Sequence, residues 1–519
     1  MRNGTQRGRR GELEDCLSSF GVDGRARRAD PEGWIEDSAA HRNLRCCLEA
    51  LGPTFVGFGR YLSSRIDLLP WSLCQVLSAL PDYAEPEAPE NVWSLFTHET
   101  GVSPDRALLR FDSRPFESRL LRQSHSASLA GSPVVVRFVR PQVATWAERA
   151  DDVGVLEETL SAFGVRATQF RVAASDFRRE LEAGQDLESD LAAFSVLARG
   201  DGDRDAAASP ELYRHLCTGR ILVYREYAPL ADGMPPSPEQ ARLLALAWLR
   251  QALHGEAFPV EPVRQHLGIS AGGRIVFAAG PFAALPDKYR DHLMQYLVAL
   301  AAQDLGAAYS HFAVVVQGHG TDSAGAELRR RFLQTVAFRD GFQAGDALPQ
   351  FAEEAFIHWK IAREYARPDE SVTAFFRGLV HLVVTTRSMA PRRDSLLEAL
   401  YDLRVRNVFG QARDVFQPAE MAGLMEQYAT AFLNSPENLD RLLTGVASGA
   451  FPPRRAASRD RDQPRTSSSA SLMLLVALGA LTLVFHKLSA SARSPAADCV
   501  MALLLVGFGA MVLRAGSGR

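Results

Sequence analysis

Pro133-Val134-Val135-Val136-Arg137-Phe138-Val139 is a β-branched run bounded by turn residues, and it predicts a strand with one arginine inside it. Downstream, Phe177 to Leu197 carries charge with recurring apolar positions and predicts a helix. Gly219 to Tyr227, GRILVYREY, predicts a second strand. Ser237-Pro238-Glu239-Gln240 is a capping box with proline at the first helical position, opening a helix through Leu253. Upstream, a dense apolar pattern begins near Cys46, and it runs on to about Gly449.

The order helices, strand, helix, strand, long helices predicts an α+β, protein-kinase-like two-lobe fold, with a small sheet-bearing lobe and a large helical one. The chain has 519 residues, enough for one large domain with appendages or for two to three domains. Its net charge of -3 gives no global pull toward nucleic acid, so no nucleic-acid partner is expected. Hydrophobic residues at 46% and charged residues at 23% allow a sizeable core. Cys16, Cys46, Cys47, Cys74, Cys217 and Cys499 form no C-x-x-C pair and no zinc spacing, so they read as reduced thiols. The opening MRNGTQRGRRGELED is basic without an apolar stretch behind it, unlike a secretory signal, and residues 1–45 read as a polar arm, mobile or built of short helices.

Residues 451–469 are rich in Pro, Arg and Ser and read as a linker. Residues 470–513 then hold two uncharged runs, LMLLVALGALTLVF and CVMALLLVGFGAMVL, separated by polar SASARSPAAD. They predict a C-terminal transmembrane helical hairpin, with the lipid bilayer as a partner. Arg454, Arg455, Arg459, Arg461 and Arg465 crowd its entry, and Arg514 and Arg519 follow its exit. The positive-inside rule therefore places the main domain, residues 46–450, in the cytoplasm.

Leu51 to Asp82, LGPTFVGFGRYLSSRIDLLPWSLCQVLSALPD, closely resembles the opening signature of the UbiB-type atypical kinase family. Gln123, His125 and Ala127 fall on the family's A-S-I-G-Q-V-H-x-A loop, and Val134 to Pro141 on V-A-V-K-V-Q-R-P. Phe177 to Leu181, FRREL, falls on the helix that supplies the lysine's acidic partner, and Arg220 to Tyr227 on the hinge strand. The resemblance covers about residues 46 to 430 and implies a kinase-like body with a family-specific N-terminal helical extension. The terminal hairpin also resembles the tail of bacterial members.

Against that resemblance the departures carry the functional content. K-x-G-Q reads Gly57-Phe58-Gly59-Arg60, and the alanine-rich loop reads Glu117-Ser118-Arg119-Leu120. The lysine that pairs with ATP phosphates is Arg137; Glu180 survives as the helix glutamate, and an Arg137–Glu180 ion pair is the expectation. H-x-D-P-H-P-G-N falls on FPVEPVRQHLGIS, with Val260 near the Asp position, Gln265 near the Asn and Glu261 one place off. Ala278-Ala279-Gly280 stands where D-F-G should bind magnesium. Phosphoryl transfer depends on positioning and charge compensation, so these losses predict a pseudokinase with no catalytic residue, no metal ligand and no cofactor of its own. Arg137, Glu180, Gln123 and His125 would mark a vestigial nucleotide pocket.

The resemblance implies a binding or scaffold role near isoprenoid quinone or membrane lipid metabolism, with an isoprenoid lipid or a protein as partner. Two alternatives stay open. One is a divergent ATPase or kinase in which Glu261 and Glu180 rebuild an ATP/Mg site, and the other is a purely structural membrane-tethered protein. Gln317 to Glu327, QGHGTDSAGAE, lacks the Gly-Lys-Ser/Thr ending of a phosphate loop and reads as a helix-breaking turn. His311, His319 and His358 read as surface or core histidines.

Overall fold

The computed structural model describes residues 2–22, 38–199, 208–230, 237–270, 272–317, 323–334, 348–366 and 368–403. The chain opens with helices α1 (Arg2–Ser19), α2 (Ser38–Leu51), α3 (Pro53–Leu62) and α4 (Trp71–Ser78). The polar arm is therefore helical in its described part. It is also anchored: Leu17 and Val22 are buried, and the Thr159 hydroxyl donates to the Val22 carbonyl at 2.8 Å. Pro53 sits in the first turn of α3, where its missing N–H costs nothing, and Gly52 supplies the φ of 97° needed before it. Phe55, Phe58, Tyr61 and Leu62 of α3 are buried. The Phe58 ring lies 5.2 Å from that of Phe177 and 6.1 Å from that of Phe170.

After α5 (Pro89–Thr100) and α6 (Pro104–Ala107) come strands β1 (Arg110–Phe111), β2 (Glu117–Ser118), β3 (Arg122–Leu129) and β4 (Ser132–Val139). With β5 (Ile221–Arg225) they form an antiparallel sheet in which β1 and β2 share one edge of β3, and β4 lies between β3 and β5. Both expected strands are present, and alternation sorts their faces. Val134, Val136 and Phe138 join Ile221, Val223, Val92, Phe96 and Leu108 in a small core. Val135, Val139, Leu222 and Tyr224 face the large one.

Helices α7 (Gln142–Glu148), α8 (Glu157–Ala162), α9 (Ala167–Ala183) and α10 (Glu188–Arg199) follow. The single helix expected over Phe177 to Leu197 is thus two. Gly184 lets the chain pass close to Leu121, which an added Cβ would meet at 3.2 Å. Leu187 then donates its N–H to the Gly219 carbonyl at 2.7 Å, and the Asp186 carboxylate accepts the N–H of Glu188 at 3.0 Å to start the next helix.

The helical body consists of α11 (Pro238–His254), α12 (Asp287–Ala301), α13 (Leu305–Gln317), α14 (Ser323–Leu333), α15 (Gln350–Tyr365) and α16 (Glu370–Met389). The capping box forms as expected, with Ser237 and Gln240 bonding reciprocally at 3.0 and 3.1 Å. Trp248 of α11 packs on Phe375 of α16, and its indole N–H donates to the Pro259 carbonyl at 2.8 Å. Between α10 and α12 lie two small antiparallel sheets, Ala228–Pro229 with Leu267–Ile269 and Ile275–Phe277, and Phe258–Pro259 with Phe282–Ala283.

The glycine-containing stretch after Gln317 does separate two helices, although 318–322, with His319, lie outside the described residues. His358 is a core histidine stacked on Phe332, and burial pushes its pKa down to about 3. His311 is half-buried beside His292. Cys16, Cys46, Cys47, Cys74 and Cys217 are free thiols, and Cys499 lies outside the described residues. So do the linker and both apolar runs of the expected hairpin, 451–469 and 470–513; among the described residues no helix is long and apolar enough to cross a membrane.

The β3–β4 hairpin turns on Ala130 (φ 49°) and Gly131 (φ 86°), both left-handed as a two-residue turn of the first primed type requires. Alanine is poorly suited to that conformation. Ala130→Asn should raise unfolding stability by about 0.5–1 kcal/mol, read as a higher urea midpoint at unchanged slope.

Candidate functional site

Between the sheet and the helical body lies a cavity of 630 Å³. Its walls come from α3 (Pro53, Gly57, Tyr61), the sheet edge (Glu117, Arg119, Leu120, Arg137), α9 and α10 (Phe177, Glu180, Asp190), the segment after α11 (Val260, Glu261, His266, Ala279, Gly280, Phe282) and α16 (Ser371, Arg377).

Arg137 occupies an interior position of β4, opposite Ser124 on β3 and Leu222 on β5, and is 5% exposed. A buried guanidinium must place its donors. One donates to the Ala278 carbonyl at 2.6 Å, another to the Ser124 hydroxyl at 3.2 Å, and a third lies 3.5 Å from the Glu117 carboxylate. The expected Arg137–Glu180 ion pair does not form. Glu180 is held by Arg377 of α16 at 2.6 and 3.3 Å, and Arg377 also donates to Ser64 and lies over the Tyr61 ring. The physical reason is that Arg377 takes both oxygens of Glu180, while the donors of Arg137 are taken by Ala278, Ser124 and Glu117. Helix α9 carries Glu180 toward α3 and α16, while α10 presents a different carboxylate, Asp190, to the cavity.

Asp190 is the site residue that sequence reading missed. It is 3% exposed; burial pushes its pKa up to about 6, while the charges of Arg122 and Arg137 pull the other way. The sequence signal that could have found it is Ala183-Gly184-Gln185-Asp186, a stop followed by a start, ahead of Asp190.

Gln123 and His125 point away from the cavity. The Nδ1 of His125 donates to the Asp112 carbonyl at 2.7 Å, which leaves its Nε2 to accept from the Gln123 amide at 2.8 Å. The Gln123 carbonyl oxygen accepts the N–H of Glu87 at 2.8 Å. Burial lowers the His125 pKa, and the ring stacks on Phe111 in the small core. Both residues brace the far face of the sheet.

A second bridge crosses the cleft at Arg119. It pairs with Glu117 at 2.5 Å and Asp82 at 3.2 Å, donates to the Gln265 carbonyl at 3.1 Å, and donates to Nε2 of His266. Burial, then the neighbouring Arg119 charge, hold His266 well below its ordinary pKa, so the ring is neutral and its Nδ1 donates to the Glu261 carbonyl at 3.0 Å. Burial alone would raise the Glu117 carboxyl; Arg137 and Arg119 overcome that and hold it low.

The residues do not fit ATP and magnesium. At the position of the metal-binding Asp, the Ala278 carbonyl takes the Arg137 guanidinium, and Ala279 and Gly280 bring no carboxylate. Val260 is packed at 3% exposure, and the backbone of Gln265 is bound by Arg119. Where K-x-G-Q has lysine, Gly57 faces the Phe177 ring, which an added Cβ would meet at 3.5 Å. Arg60 turns aside to Asp82 and the Leu80 carbonyl. Lysine occurs only at positions 288, 360 and 487 of the chain, and none of these lines the cavity. Among the described residues no three His, Cys, Asp or Glu side chains gather as a metal-holding group.

Behind the Tyr61 wall lies a buried ion network. Arg65 grips Asp67 with two bonds of 2.9 and 2.8 Å and donates to the Tyr61 hydroxyl, while Arg363 of α15 sits 3.1 Å from the same carboxylate. Arg65 and Asp67 are fully enclosed as side chains. The N-terminal signature thus clamps onto α15 and α16 through charge.

Residues 79–311 match the ABC1 atypical kinase-like domain. A probable protein kinase UbiB of Azotobacter vinelandii is 32% identical over 195 residues, 35% of this chain and 34% of that one. A protein of the same name from Pseudomonas paraeruginosa is 27% identical over 280 residues, 50% and 52% of the two chains. The chain spans about a third to a half of the length of the curated relatives it matches. A solved complex of Rv3197 with erythromycin from Mycobacterium tuberculosis is similar over 66% of this chain and 89% of that one, at 14% identity and a TM-score of 0.36. Residues 79–311 are thus similar to an ABC1 atypical kinase-like domain, and the relatives named UbiB support kinship with the UbiB-type atypical kinases over that part of the chain.

The Asp67 network yields a stability prediction. Burial by itself would raise the Asp67 carboxyl; Arg65, its hydrogen bonds and Arg363 prevail and hold it below its ordinary value. A depressed carboxyl stabilises the fold above its unfolded pKa of about 3.9 and loses that contribution as pH falls through the folded value. Asp67→Leu should cost about 3–5 kcal/mol by stranding two buried guanidiniums. It should also flatten the loss of stability below about pH 4, measured by urea unfolding as a function of pH.

Proposed function

We propose that this chain is a UbiB-like pseudokinase, a binding module rather than a phosphotransferase. One observation carries the reading: the arginine that replaces the phosphate-pairing lysine spends a donor on the Ala278 carbonyl, where a kinase would present a metal-binding carboxylate. ATP brings about four negative charges that lysine and magnesium must offset. Here six arginines line the cavity beside eight carboxylates, so the wall carries no positive surplus for a polyphosphate. Arg119 and Arg137 already tie the sheet to the segment after α11.

The same cavity has apolar surface from Leu120, Leu121, Trp146, Phe177, Leu181 and Phe282. Such walls, with their arginines already bound by carboxylates or carbonyls, suit a mostly apolar, uncharged ligand. The names of the relatives link the family to ubiquinone biosynthesis, which makes an isoprenoid lipid the ligand class we favour. The apolar runs in 470–513 would hold the module at a bilayer, with the kinase-like body in the cytoplasm. A divergent kinase would need Glu180 for a rebuilt metal site, and Arg377 occupies it.

The test is the melting temperature of the full chain titrated with ATP, with and without magnesium. A ligand at 100 times its dissociation constant stabilises by about 2.7 kcal/mol, a readily measured shift. No shift at millimolar nucleotide is expected. A magnesium-dependent rise would overturn the pseudokinase reading.

A further inference from the structure

We infer that Asp190 is the polar anchor of the cavity, and that it selects a neutral ligand carrying a hydroxyl group on an apolar body. The inference rests on the reading of the cleft as a ligand site. Asp190 is 3% exposed and lines the cavity, yet its surroundings hold it only by charge, from Arg122 and Arg137. Neither arginine offers it a hydrogen bond. Arg122 gives its donors to the carbonyls of Gly184 and Asp186, and Arg137 gives its own to Ala278, Ser124 and Glu117. A buried carboxylate without donors is costly, and native interiors rarely leave one so.

The class of ligand follows by elimination. A cationic head at Asp190 would meet the charges of Arg122 and Arg137, both of which bear on that carboxylate. An anionic head would meet Asp190 itself, with Glu117 close behind Arg137. A hydroxyl avoids both repulsions: it donates to the carboxylate without adding charge. Its apolar body can lie along the walls that Phe177 and Phe282 provide. A hydroxyl-to-carboxylate bond in such surroundings is charge-assisted and stronger than a neutral one. The ordering of side chains explains why Asp190 was left open: its helix begins just past the break at Gly184, so the carboxylate faces the cavity rather than the Arg377 side.

The test uses the full chain and two probes of the same shape, the aromatic alcohol naphthol and its methyl ether, titrated calorimetrically near neutral pH. The alcohol should bind about tenfold to a hundredfold more tightly than the ether. Asp190→Leu should bring the alcohol down to the level of the ether and leave the ether unchanged; Asp190→Asn, which keeps the shape, should show a smaller loss in the same direction. Equal binding of both probes to the unmodified chain, or an alcohol preference that survives Asp190→Leu, overturns the role of Asp190 while leaving an apolar cleft in place. Binding of neither probe overturns the ligand-site reading and this inference with it.

Discussion

A guanidinium fixed in the middle of a strand sets the terms for everything around it. Arg137 cannot shed its charge, and β4 holds it at the sheet's inner face, away from bulk water. It must therefore find oxygen atoms, and those it finds lie on both sides of the cleft: Glu117 and Ser124 on the sheet, the Ala278 carbonyl on the helical body. A lysine at the same place could reach for phosphate with a single mobile ammonium. The planar fork of arginine is satisfied by the protein itself. The cleft is a joint between the sheet and the segment after α11.

The other departures fit this joint. Glu117 and Arg119 replace a small-residue loop and extend the bridge to His266 and the Gln265 carbonyl. Ala278 to Gly280 leave no carboxylate that would compete with Arg137's carbonyl contact. Gly57 leaves room for Phe177 where a lysine would have stood. Meanwhile the N-terminal signature keeps its grip through Arg65, Asp67 and Arg363, so the helical extension stays docked over the cavity. The cavity stays enclosed while the arginines on its walls are bound by oxygens of the protein itself.

The strands at 133–139 and 219–227 and the capped helix at Ser237 were legible because each rests on local signals: β-branching, turn residues, a reciprocal cap. The clasp at Arg137 was legible only in half. Sequence placed the arginine, but its partners are a backbone carbonyl 141 residues away and a glutamate of β2, on the far side of β3, which no local pattern announces. Glu180 was assigned to the wrong arginine because Arg377 arrives from a distant helix. Gln123 and His125 lie on a motif, but strand alternation turns them to the small core. Asp190 was hidden by reading through Gly184.

The most direct test of the clasp is amide hydrogen exchange on the full chain, compared with Arg137→Met, which keeps the bulk of the side chain and removes its donors. If the guanidinium joins sheet to helical body, exchange in the segments around 117–124 and 276–283 should quicken, while α16 keeps the protection of the unmodified chain. Unchanged exchange in both cleft segments would contradict the account, because the cleft would then be closed by something other than Arg137.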